Sequence, residues 1–172
     1  MPSVLIVSDS HGWQQELVQI KQFYQGKVDQ MIHCGDSELD YSQSEMAGFQ
    51  KVAGNCDYDP NYPDERVITV QGVRFFIAHG HLHNVKMTLT PITYRASELD
   101  AKIICHGHSH IAAANQIGNQ LVINPGSIRL PRGRREETYA ILEWNDTNEY
   151  YVHFYRLNGQ EVEDLAFSTT LA

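Results

Sequence analysis

The sequence predicts an α/β fold whose buried strands end in polar, ligand-bearing turns. Three observations carry this expectation. The run Val4-Leu5-Ile6-Val7 is apolar and mostly β-branched, as in a strand covered on both faces, and it stops at Ser8-Asp9-Ser10-His11-Gly12. Trp13, Leu17, Ile20 and Tyr24 then recur at helical spacing and Gly26 ends the pattern as a C-cap, which predicts an amphipathic helix over 13–25. A second strand, Val28 to Cys34, ends in the same way at Gly35-Asp36. Open α/β sheets hold their ligands beyond the carboxyl ends of the strands. If the first strand stays extended through Ser10, Asp9 and His11 point to the same side.

The remaining elements follow in order. Residues 37–48 are polar with a weak helical pattern, and Phe49 to Ala53 reads as a short strand ending in Gly54-Asn55-Cys56-Asp57. Pro60 and Pro63 keep 57–65 a loop. Arg66–Val70 and Val73–Ala78 flank Gln71-Gly72 as a β-hairpin whose second arm ends in His79-Gly80-His81-Leu82-His83. Short helices interrupted at Pro91 are predicted over 85–100, then a buried strand, Lys102 to Cys105, ending in His106-Gly107-His108-Ser109-His110. Ile111–Ile117 and Gln120–Ile123 pair across Gly118-Asn119, a sequence suited to a type II′ turn. Three antiparallel strands, 138–144, 150–156 and 161–167, close the chain.

Composition bounds the function. A chain of 172 residues buries a full core as one domain, 1–172, and no apolar run approaches the ~18 residues of a membrane span, so a cytoplasmic protein without membrane attachment is expected. Three cysteines without paired spacing fit a reducing compartment. The net charge of −8 argues against general nucleic-acid binding, and only Arg129, Arg132, Arg134 and Arg135 resist that sign. The sequence leaves the oligomeric state open, and a homo-oligomer is compatible with it.

Five predicted strands thus end in metal-binding residue types: Asp9-x-His11, Gly35-Asp36, Gly54-Asn55, His79-Gly80 and Gly107-His108-x-His110. In content and order these blocks resemble those of the calcineurin-like metallophosphoesterases, over residues 4 to about 144. The Asn124-Pro125-Gly126-Ser127 turn and Pro131-Arg132 are similar to the small single-domain phosphodiesterase branch, to which the retromer's phosphoesterase-like subunit is also similar. The resemblance implies a four-layer α/β/β/α sandwich of two mixed sheets flanked by helices, with a dinuclear metal site at the strand ends. It assigns Asp9, His11 and His110 to one metal, Asn55, His79 and His108 to the other, and Asp36 as the bridge. The activity it implies is hydrolysis of small phosphodiesters by a metal-bridging hydroxide, without a protein nucleophile. Asp36 and Asn55 enter that chemistry as ligands, and His81 as the residue beside the reacting group. The alternative is a phosphoesterase-fold scaffold that binds proteins with little or no catalysis.

The residue types agree with this chemistry on their own. Imidazole nitrogen mixed with carboxylate and amide oxygen suits Mn²⁺ first, and Fe²⁺, Zn²⁺, Ni²⁺ or Co²⁺ as well. Two divalent ions facing two carboxylates leave about two positive charges for hydroxide and an anionic phosphate, and ions ~3.5–4 Å apart can clamp a phosphoryl group for in-line attack. One position departs from the family pattern. Many relatives carry His after Gly-Asn, where this chain has Cys56, a poorer acid with an ordinary pKa of ~8.5. Help to the leaving group is therefore expected to be weak or to come from His81, which is either a substrate contact or a solvent-facing loop residue. Arg129 and Arg132 are expected to recognise phosphate. His33 and His106 read as buried supporting or core groups rather than ligands, His83 as structural or exposed, and Cys34 and Cys105 as core.

Overall fold

The computed structural model describes residues 1–172. Its first strand, β1 (Ser3–Val7), is buried throughout, and alternation divides its side chains between two cores. Val4 and Ile6 face a second sheet, whereas Leu5 and Val7 face the first helix, α1 (Gln15–Tyr24). The first sheet also contains β2 (Gln30–His33) and β3 (Phe49–Lys51), both parallel to β1. On the other side of β1 lie β9 (Thr138–Trp144), β10 (Glu149–Arg156) and β11 (Phe167–Thr170), each antiparallel to its neighbour, giving the order β11-β10-β9-β1-β2-β3.

The second sheet is also mixed. Its strands are β4 (Glu65–Val70), β5 (Val73–Ala78), β6 (Ile103–Cys105), β7 (Ala113–Ile117) and β8 (Gln120–Asn124), in the order β4-β5-β6-β8-β7. Strands β5, β6 and β8 run parallel, while β4 and β7 are hairpin arms. Phe75, Ile77, Ile103 and Ile123 pack between the sheets, and Phe76, Ala78, Ile104 and Val122 pack outward under the second helix, α2 (Thr90–Glu98). The layers are therefore helix, sheet, sheet, helix. The five strands predicted to carry ligands, β1, β2, β3, β5 and β6, all belong to the parallel parts of the two sheets, which also include β8.

Four local expectations change. Asp9 and His11 have φ of 55° and 40°, so the chain leaves the extended conformation at the end of β1 instead of continuing it through Ser10. The two side chains converge through a left-handed loop. Residues 37–48 form only one 3₁₀ turn, Ser44–Met46, because few of their side chains are apolar enough to bury a helix face; Leu39 and Met46 do so. Pro91 does not interrupt a helix. It stands in the first turn of α2, where the missing N–H has no helical partner to lose and the fixed φ already suits the helix. The last strand begins at Phe167 rather than Glu161. Val162 N–H bonds back to the Phe154 carbonyl, a 3₁₀ turn follows at Glu163–Leu165, and only then does the chain pair with the opposite end of β10.

Candidate metal centre

Each predicted site residue follows a strand end, and the backbone there is unusual. Asp9, His11, Asp36, His108 and His110 all have positive φ, from 40° to 72°. A left-handed residue other than glycine costs ~1–2 kcal/mol, and such strain persists only where the surroundings enforce it. Here the enforcement is visible. Asp9 N–H donates to the Gly35 carbonyl, and His11 N–H to that of Asp36, tying the β1 and β2 loops together. Asp57 accepts N–H bonds from Asp36 (2.7 Å), Gly54 (2.8 Å) and Glu38 (2.9 Å), so its carboxylate joins the β2 and β3 loops. Ser127 Oγ donates to the Asp9 carbonyl at 2.7 Å and accepts from Leu130 N–H at 2.8 Å. Close approach also explains two glycines. A Cβ at Gly54 would run into Asp36 Oδ1, and one at Gly107 into Ser8 Oγ.

Asp9 stands at the middle of the donor cluster. Its Oδ2 accepts from Ser8 Oγ–H (2.7 Å) and from His108 N–H (3.1 Å), but its buried Oδ1 has no hydrogen-bond partner. Around that oxygen stand the Nε2 atoms of His110 (3.2 Å), His11 (3.7 Å) and His79 (3.8 Å). Each of these rings is held from behind. Nδ1–H of His79 donates to the Cys34 carbonyl (2.8 Å), that of His110 to the Leu130 carbonyl (2.7 Å), and that of His11 to Glu38 (3.0 Å). This fixes the tautomer and turns the Nε2 lone pairs inward. Nε2 of His11 and Nε2 of His110 are 3.2 Å apart, two acceptors facing one another unless a proton or a cation stands between them. A bare, buried carboxylate oxygen among inward-facing imidazoles is the arrangement a divalent cation fits, since without one the oxygen has lost water and gained nothing.

Asp36 reaches both halves of the cluster. Its Oδ2 is 3.1 Å from His79 Nε2 and 3.8 Å from His11 Nε2, while its Oδ1 accepts from Cys56 N–H at 2.8 Å. Asn55 Oδ1 is 3.1 Å from His79 Nε2. The structure thus groups Asp9, His11 and His110, and separately Asp9, Asp36 and His79, each within 4.8 Å. Asp9 belongs to both groups, a sharing that the sequence assigned to Asp36 alone. His108 stands beside the second group, its ring 5.1 Å from that of His79. A third grouping, His11, Asp36 and Cys56, brings in the cysteine.

Electrostatics follow from this packing. Burial opposes the charge of Asp9, but its contacts with His11 and His110 hold the carboxyl far below the usual range. His11 is raised to about 9, first by Asp9. Burial lowers His108 to about 4, assisted by the charges of His79 and Lys86, and pushes the Cys56 thiol up to about 11, assisted by Asp36. Cys56 is therefore a protonated thiol at neutral pH. His81 is also lowered, mainly by burial, and its Nδ1 has no partner. Arg129 donates through Nη1 to the His11 carbonyl and lies over the Trp13 ring, 5.6 Å from its centroid. Arg132 N–H donates to the His110 carbonyl at 2.9 Å. His33 and His106 are buried beneath the loops, His33 bonded to Ser10 Oγ at 2.9 Å.

Sequence reasoning missed Glu38, Ser127 and Lys86. Glu38 lies two residues after Asp36, the spacing that joins Asp9 to His11, and this was the one signal available for it. Ser127 lies in the Asn124-Pro125-Gly126-Ser127 turn, which marked the place but not the role of the residue, and Lys86 had no signal.

The model of the calcineurin-like phosphoesterase superfamily domain matches residues 3–147, and the chain belongs to that family of metal-dependent phosphoesterases. Among its relatives, the probable metallophosphoesterase YsnB of Bacillus subtilis is 47% identical over 169 residues, covering 98% of this chain and 99% of the relative. A crystal structure of a predicted phosphoesterase from Streptococcus pneumoniae superposes with a TM-score of 0.94 at 33% identity, covering 98% of this chain and 97% of that one. Vps29 from Entamoeba histolytica, crystallised with Zn²⁺, shares the fold with a TM-score of 0.72 at 19% identity, covering 97% of each chain.

Proposed function

We propose that this protein, acting as one domain over residues 1–172, is a phosphodiesterase that hydrolyses small phosphodiesters with two divalent ions, Mn²⁺ foremost. Asp9, His11 and His110 would hold one ion and His79, Asn55 and His108 the other, with Asp36, whose Oδ2 lies 3.1 Å from His79 Nε2 and 3.8 Å from His11 Nε2, within reach of both sets. The unpartnered Asp9 Oδ1 facing three Nε2 atoms carries this reading. When bound, the ions polarise the phosphoryl group and acidify water.

The chain's own residues orient and exclude. Carbonyls of Cys34 and Leu130 and the Glu38 carboxylate accept from Nδ1–H of three imidazoles and so keep each Nε2 aimed inward. The Cys56 N–H holds Asp36 Oδ1, so that Oδ2 faces the cluster. No serine, threonine or lysine nucleophile is needed. The leaving group receives little proton help, because the Cys56 thiol is too weak an acid and burial disfavours the imidazolium form of His81. This favours diesters with good leaving groups. A cytoplasmic setting accords with the free cysteines, and no helix is long and apolar enough to cross a membrane.

Turnover of bis-p-nitrophenyl phosphate by the purified protein with Mn²⁺ or Ni²⁺, and its loss in Asp36→Ala, is the expected result. No turnover in wild type and no effect of Asp36→Ala would leave the protein-binding scaffold as the better reading.

A further inference from the structure

Two pockets flank the candidate centre, and they differ in charge. The one beside the loops after β2 and β3 is lined by Glu38, Asp40, Asp57 and Asp59 and contains no lysine or arginine. The one beside the loops after β6 and β8 is a cavity of about 340 Å³ without a carboxylate. Its wall includes Ser109, which stands between His108 and His110, the apolar side chains of Val85, Leu89 and Ile111, and the cations Lys86 and Arg132.

The cavity adjoins the centre through the loop after β6, whose Ser109 lines it between His108 and His110 in the chain. Arg132 N–H bonds to the His110 carbonyl at 2.9 Å, and Asn124 of the same wall donates through Nδ2 to Ser109 Oγ at 2.9 Å and to the Gly107 carbonyl at 3.3 Å. Arg95, Arg134 and Arg156 are all engaged in ion pairs on the surface, and Arg129 is bound to the His11 carbonyl. Lys86 and Arg132 form no ion pair and no side-chain hydrogen bond. Two free, exposed cations in the wall of a partly apolar cavity, beside a centre proposed to take a phosphoryl group, call for a second anion on the substrate.

We propose that this cavity is the subsite for the second substituent of the phosphodiester, and that it selects an apolar or aromatic body of nucleoside size ending in its own anionic group. Phosphate suits it best, because the Arg132 fork and the Lys86 point charge both match phosphate oxygens. The acidic flank repels the same group, so the substrate lies in one direction only. The inference rests on the phosphodiesterase reading.

A matched pair of chromogenic probes tests it: thymidine 5′-(p-nitrophenyl phosphate) with and without a 3′-phosphate. The two differ only in a remote dianion. In wild type, kcat/KM is expected to favour the 3′-phosphorylated probe by about tenfold or more, as charge-assisted hydrogen bonds allow. That ratio should fall severalfold in Lys86→Ala, fall further in Lys86→Ala/Arg132→Ala, and shrink with added NaCl because both cations are exposed. A wild-type ratio near one, or a ratio unchanged in the double variant, would overturn the subsite. If neither probe nor bis-p-nitrophenyl phosphate is turned over, the phosphodiesterase reading fails on its own. Equilibrium binding of thymidine 3′,5′-bisphosphate against thymidine 5′-phosphate, measured with Mn²⁺, then decides the subsite by the same ratio.

Discussion

Replacing Asp9 by Asn isolates the charge at the middle of the cluster. An asparagine oxygen in place of Oδ2 still accepts from Ser8 Oγ and His108 N–H, which preserves the loop, while the bare Oδ1 becomes an amide nitrogen without charge. Two unit charges ~4 Å apart interact by ~4 kcal/mol at an effective dielectric of 20, so losing the Asp9 charge opposite a divalent ion weakens metal affinity by at least about a thousandfold. Linkage converts this into an observable. Metal at a thousand times the wild-type Kd stabilises the protein by about 4.1 kcal/mol, whereas a variant with a thousandfold weaker site gains only RT ln 2, about 0.4 kcal/mol. Urea denaturation of metal-stripped and Mn²⁺-loaded protein should therefore show a shift in wild type that nearly disappears in Asp9→Asn, with far-UV circular dichroism unchanged. Equal Mn²⁺-induced stabilisation in both proteins would refute the placement of Asp9 at the centre.

Three further outcomes are expected. Gly54→Ala places a methyl group against both Asp36 Oδ1 and the Asp36 backbone nitrogen, so the loop that carries the carboxylate must move; turnover should drop by ~10²-fold or more while the far-UV circular dichroism spectrum is retained, as a displacement of about 1 Å at a reacting centre can cause. Cys56→His should raise the rate on alkyl relative to aryl leaving groups by about tenfold or more, because an imidazolium is a better acid than a thiol raised to about 11, and an unchanged preference would refute weak leaving-group assistance. His33 is buried and lowered to about 4 from 6.5, so its contribution to stability is present above pH 6.5 and is lost as pH falls through 4. The loss amounts to ~3 kcal/mol at 1.36 kcal/mol per pH unit. Denaturation midpoints of His33→Gln should fall less steeply than wild type over that window, and parallel curves would contradict the assignment.

The sequence by itself determined the inventory. The four-residue run Val4–Val7, the period of α1 and the Gln71-Gly72 turn mark their elements through near-neighbour physics, and the five strand-end blocks put the donor types at sheet ends. Order and chemistry were legible because side-chain periodicity and turn residues act locally. Tertiary structure decided everything that depends on partners distant in the chain. Asp9 and His11 meet through left-handed backbone held by Gly35 and Asp36, not through an extended strand, and no local preference indicates such strain. The inward turn of His110 depends on the carbonyl of Leu130, and that of His79 on Cys34, which are contacts between loops of the two sheets. Asp9 Oδ1 is left without a hydrogen-bond partner only because those loops close over it and exclude water. Lys86 carried no signal in the sequence for the same reason, since a lone charge acquires meaning only when folding sets it beside a cavity and a phosphate-binding centre.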